Sequence, residues 1–198
     1  IILNKRLVLM NYNLNNVFKD MSITGEELSE EHKSKLLGDG FVILQITEKE
    51  WLKRGIDVPL ISRVIDQLIE KEQWRGGWEA HDHAGSKIKE GEHPEPCAQR
   101  LNHLLNKHDC FRKIFTIPEI LCGCKLLIKN EFRLSQMILR MPFPGTGLQP
   151  WHVDWVPRRK PNEPIRAVLS FLLLDDYYKE NGGTSVIPGS HKFLRLPD

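Results

Sequence analysis

Leu60, Ile61, Val64, Ile65, Leu68 and Ile69 recur at intervals of three and four residues. That spacing gathers side chains on one side of a 3.6-residue turn, so it predicts an α-helix with a single buried stripe. Ahead of it, Thr47 and Glu50 stand in the capping-box relation before Trp51, and Gly55 supplies a stop, which together predict a short helix. Further upstream, Thr24-Gly25-Glu26-Glu27 has the same capping pattern. Leu28, Leu36 and Leu37 follow as apolar positions before Gly38, predicting a helix from about Gly25 to Leu37 and then a short strand from Phe41 to Ile46. Leu101, Leu104 and Leu105 predict another helix. Thr116, Pro118 and Glu119 open one more, with proline at the first helical position and an end near Asn130.

From Glu131 the period shortens. Glu131 to Met141, Gln149 to Trp155, Ile165 to Leu174 and Thr184 to Ile187 read as strands separated by Pro- and Gly-rich turns. Helices followed by a run of short strands predict an α+β chain whose later portion is a sandwich or barrel. Between Gly76 and Pro96 periodicity disappears, and His81, Asp82, His83, Gly85, Gly91, His93 and Pro94 form a long polar loop of the kind that lines or covers a site. There is no internal repeat.

Composition narrows the classes. The chain has 198 residues, 40% hydrophobic and 27% charged, which suits one domain with a helical elaboration and excludes disorder. Lys plus Arg number 28 against 26 Asp plus Glu, a net charge of +2 without long runs of either sign, so neither nucleic acid nor a membrane surface is expected as partner. The longest apolar run, Ala167 to Leu174 broken by Ser170, falls far short of the roughly 20 residues a membrane-spanning helix requires. Cys97, Cys110, Cys122 and Cys124 are too few and too irregular for a disulfide scaffold, which fits a reducing compartment. Ile1 to Met10 lacks the ordered regions of a secretory signal, so the cytoplasm is the expected location, and an opening Ile1 in place of Met is read as the mark of a cut or incomplete sequence.

Candidate chemistry centres on His152 and Asp154. Two apart in an expected strand, they project from one face while Trp151, Val153 and Trp155 take the other. An imidazole and a carboxylate converging on one point are two of the three ligands of the 2-His-1-carboxylate triad, which leaves coordination positions open on a non-heme Fe(II). The same pair could instead simply hydrogen-bond in a turn. In the strand Glu131 to Met141, Gln136, Ile138 and Arg140 share one face. His81, His83, His93 and Cys97 match no standard zinc spacing, and Cys122 and Cys124 read as core residues of an apolar helix.

Pro142-Phe143-Pro144-Gly145-Thr146-Gly147 precedes the His-x-Asp-Trp segment, and Asn181-Gly182-Gly183-Thr184-Ser185-Val186-Ile187-Pro188-Gly189-Ser190-His191-Lys192 follows the next apolar strand. With the opening helix and Gly40-Phe41-Val42-Ile43-Leu44, the chain from about Leu28 to Lys192 resembles the phytanoyl-CoA dioxygenase family of Fe(II)- and 2-oxoglutarate-dependent oxygenases. The resemblance implies N-terminal helices packed on a double-stranded β-helix, or jelly roll. It makes 1–198 a single domain, with 1–21 an extension, 22–130 mainly helical and 131–198 the first strands of the barrel. It implies Fe(II) on His152 and Asp154, 2-oxoglutarate and O2 as co-substrates, and hydroxylation of a small organic molecule. Family members that halogenate lack the carboxylate, so Asp154 favours hydroxylation. Polar contacts to substrate and co-substrate fall on the strand holding Gln136 and Arg140, although Arg140 also reads as an ordinary surface residue. His191 belongs to a structural turn in the family, and Gly182, Gly183 and Gly189 are turn formers. The distal His and an Arg for 2-oxoglutarate lie beyond this turn, so the jelly roll is expected to be incomplete at the C-terminus, the reading frame to continue past Asp198, and the 198-residue piece to be inactive alone. The alternatives are a non-catalytic jelly-roll protein that binds metal or ligand, and an inactive fragment of the oxygenase. The loop from Gly76 to Pro96, with Trp74 and Trp78, is where substrate choice is expected.

Overall fold

The computed structural model describes residues 13–73, 75–76, 98–145, 151–154 and 160–194. Helix α1, Leu14–Asp20, is capped by the side chain of Asn13, and α2, Glu30–Gly38, by Ser29, which accepts from the His32 amide. The helix expected from about Gly25 therefore begins five residues later. Thr24 and Glu27 do pair, but as a local turn: Glu27 accepts from the Thr24 amide at 2.6 Å and from the Gly25 amide at 2.8 Å. Gly25 has φ +97°, which no right-handed helix accommodates, so the carboxylate is spent on the turn and Ser29 starts the helix. Helix α3, Glu48–Lys53, carries the full reciprocal capping box of Thr47 and Glu50. Helix α4, Val58–Glu72, is capped by Asp57 and ends on Gln73 in the left-handed region.

The segment Phe41 to Ile46 is not a strand. Its alternation survives without pairing: Val42 and Leu44 pack inward while Ile43 is 70% exposed. The first strand is β1, Arg75–Gly76, and the second β2, Ala98–Leu101. Leu101 thus closes a strand where a helix is expected, and Leu104–Asn106 forms only a 3-10 turn entered through a left-handed His103. The left-handed residue turns the chain too sharply for an α-helix to start upstream of it. Helix α5, Pro118–Ile128, follows with proline in its first turn, as expected, and strand β3, Leu139–Pro142, completes the set. The sheet is antiparallel in the order β1-β2-β3, with Arg75 opposite Gln99, Arg100 opposite Arg140 and Leu101 opposite Leu139.

The expected strand Glu131 to Met141 therefore shrinks to its last residues. Among the described residues, 151–154, 165–174 and 184–187 form no strand ladder, so helices plus a small antiparallel sheet are present and a closed double-stranded β-helix is not. A strand exists only with a partner to accept its hydrogen bonds. Leu169, Phe171 and Leu173 keep the period-two alternation but lie exposed, and among the described residues no neighbouring strand pairs with them.

Two clusters hold the described residues together. In one, Ile61, Val64 and Ile65 of α4 pack on Leu101, Leu104, Phe111 and Ile117, with Met137, Leu139 and Leu174 against its edge. In the other, Phe18, Ile23 and Leu28 pack on Leu36 of α2 and Cys122 of α5. Arg54 grips Glu119 through two 2.7 Å hydrogen bonds and ties α3 to α5. Cys122 is buried and Cys124 half-buried, in accord with a core role, whereas the loop expected at Gly76 to Pro96, with Trp78, His81, His83 and His93, lies outside the described residues beyond Gly76, as do Trp74 and Cys97. Among the described residues no helix is long and apolar enough to cross a membrane.

Two stability outcomes follow from this packing. Leu101 is fully buried between sheet and α4, so Leu101→Ala should destabilise by about 2–5 kcal/mol in denaturant unfolding. The Thr24 amide, with the Gly25 amide and the Cys122 thiol, holds the Glu27 carboxyl down to about 2 from its ordinary 4.5. Its contribution is complete above the ordinary value and is lost as pH falls toward the folded one. In thermal melts from neutral pH to about pH 2.5, Glu27→Gln should be less stable than wild type at neutral pH, and the two melting temperatures should converge in acid.

Candidate functional site

His152 and Asp154 lie close together, although residues 151–154 are not the strand expected of them. Nε2 of His152 lies 3.4 Å from Oδ1 of Asp154, with the side chains 33% and 55% exposed. Trp151 and Val153, expected on the opposite face, are exposed as well. A neutral imidazole nitrogen and a carboxylate oxygen at this separation are close enough to touch one cation, the first as a borderline and the second as a hard donor. The same atoms make an ion pair when the imidazole is protonated.

The sheet builds a second constellation. Arg140 in β3 faces Arg100 in β2 as direct antiparallel partner, and both are half-buried. Burial lowers the pKa of Arg100 from its ordinary value, and the nearby Arg140 charge lowers it further. Like charges directly opposite one another on a sheet repel. Gln136, expected beside Arg140, is exposed and precedes β3, so the sheet register does not carry it to the arginine pair. The sequence did not single out Arg100, because only the pairing of β2 with β3 brings it opposite Arg140.

His191 sits elsewhere. Its Nε2 donates to the Leu37 carbonyl at 3.2 Å, and Lys192 Nζ donates to the Gly38 carbonyl at 2.8 Å, so the segment is a structural turn seated on α2. Gly182 and Gly189 take φ of +91° and +77°, and a Cβ on Gly183 would stand 2.7 Å from the Tyr178 carbonyl oxygen. These three glycines are turn formers, two through positive φ and one through close approach.

Among the described residues no three His, Cys, Asp or Glu side chains converge on one point. His152 and Asp154 fit two positions of a three-ligand iron site by donor type and separation. No curated protein and no solved structure matched the chain. A family model did, over residues 63–195, a span that takes in α4 from Arg63 onward, the whole sheet, the His-x-Asp pair and the turn at Gly189. That model is phytanoyl-CoA dioxygenase, and the chain belongs to the phytanoyl-CoA dioxygenase family.

Proposed function

We propose that this chain is the iron- and co-substrate-binding portion of an Fe(II)- and 2-oxoglutarate-dependent oxygenase that hydroxylates a small organic molecule. The observation that carries the reading is the convergence of His152 and Asp154 inside the segment matched by the family. His152 and Asp154 would hold Fe(II) through Nε2 and a carboxylate oxygen. Bound iron with 2-oxoglutarate supplies the oxidising chemistry, coupling decarboxylation of the 2-oxo acid to transfer of one oxygen atom to substrate. Retention of Asp154 keeps a halide out of that coordination position and favours hydroxylation.

Arg140 and its cross-strand neighbour Arg100 are the groups proposed for a carboxylate of the dicarboxylate co-substrate. Half-buried guanidiniums lose little further hydration when an anion arrives, and each charge-assisted hydrogen bond is worth about 1.5–3 kcal/mol. Gln136, exposed ahead of β3, is proposed as a more peripheral polar contact. A jelly roll is the architecture proposed for the whole domain, with Leu169, Phe171 and Leu173 as barrel-facing positions.

In a protein containing this chain, 2-oxoglutarate consumption with Fe(II) and ascorbate present tests the reading. His152→Ala or Asp154→Ala should abolish turnover and weaken Fe(II) binding by at least about tenfold. Turnover or metal affinity that survives both changes unaltered would defeat it, as would metal binding without any 2-oxoglutarate consumption by the unsubstituted protein. For the arginine pair, Arg100→Leu and Arg140→Leu should each raise the KM for 2-oxoglutarate by about 10–100-fold, the equivalent of one charge-assisted hydrogen bond, with a smaller effect on kcat.

A further inference from the structure

Helix α2 ends at Gly38, with Asp39 as its cap residue and Gly40 beyond it at positive φ. Its last carbonyls, unsatisfied within the helix, are answered from 150 residues downstream. His191 Nε2 donates to Leu37, Lys192 Nζ donates to Gly38, and the Gly189 amide donates to the Asp39 carbonyl at 2.7 Å. Both Nζ and the imidazole approach the end of a helix where the partial charge is negative, which favours donors and cations. Gly40, at φ +88°, leaves the space into which the imidazole fits: a Cβ there would stand 2.7 Å from Cγ of His191 and 3.1 Å from its Cβ. Carbonyl acceptors, a cation and an imidazole donor, and a close approach that only a residue without Cβ permits therefore coincide at one place.

We infer that residues 188–192 form a latch on the C-terminal end of α2, with Gly40 as its socket, and that the latch holds the segment 184–194 on the helical layer. The segment has no strand ladder among the described residues. Its own hydrogen bonds, Ser190 to Ile187, Lys192 to Gly189 and Phe193 to Ser190, are local turns that do not reach another element. The three donors to α2 tie it down, so the segment opens as one unit, below the free energy of global unfolding. His191 is a positioning residue in this device: it seats the chain that leaves the apolar run ending at Leu174 and the turn at Gly182 against the first helices.

Native-state amide exchange followed by NMR on the full chain, with a double-mutant cycle, tests the latch. Lys192→Met should speed exchange at the Gly189, Lys192 and Phe193 amides by about three- to tenfold, the equivalent of one hydrogen bond, while Val64 and Ile65 in α4 exchange as before. Gly40→Ala should speed the same three amides more strongly, because the added carbon evicts the imidazole. The φ penalty of alanine at position 40 is common to both backgrounds and cancels in the cycle, so in a His191→Gly background Gly40→Ala should lose most of its effect. Equal effects of Gly40→Ala with and without the imidazole would overturn the socket. Exchange at the three amides that ignores Lys192→Met, or that accelerates equally at Val64 and Ile65, would overturn the latch.

Discussion

The pairing of β2 with β3 is the constraint on which the rest depends. Two short strands set Leu101 opposite Leu139 and Arg100 opposite Arg140 in consecutive positions, and the pleat sends these pairs to opposite faces. One face takes the apolar stripe of α4 and closes the larger core. The other carries two guanidiniums side by side. A shift of one residue would exchange the faces, burying an arginine under α4 and exposing Leu101. The core and the charged pair are thus set by the same hydrogen-bond register, and neither can be moved without the other.

That linkage explains what the sequence disclosed. Positions whose meaning is local were legible: the reciprocal cap of Thr47 and Glu50, the proline opening α5, and the stripe from Leu60 to Ile69. Positions whose meaning depends on a distant partner were not. Leu101 reads as helical beside Leu104 and Leu105 until β3 sets Leu139 opposite it, and Arg100 is an unremarkable basic residue until β3 presents Arg140. Gln136 lies ahead of β3, which begins at Leu139, so the alternation expected to place it on one face with Arg140 is not carried by the sheet.

Thr24 and Glu27 show a subtler limit. The pattern was right and the side chains do pair, yet Gly25 places the turn in a backbone region that a helix cannot enter. A capping motif specifies hydrogen bonds; it does not specify what the chain does next. The same holds for the strands expected at 165–174 and 184–187, whose alternation states which side each residue favours but supplies no neighbour to pair with.

The turn around Glu27 also decides the chemistry of a sulfur. Burial, with the Glu27 carboxylate accepting from Sγ at 3.1 Å, pushes the Cys122 thiol up to about 12. Only the thiolate attacks oxidants or captures metal ions, and at neutral pH that form amounts to ~10⁻⁵ of the population at such a value. In a protein proposed to bring ferrous iron and dioxygen together, a cysteine is an obvious casualty of stray peroxide and an obvious competitor for the metal. The acidic turn that anchors the first helices to α5 keeps this one chemically silent.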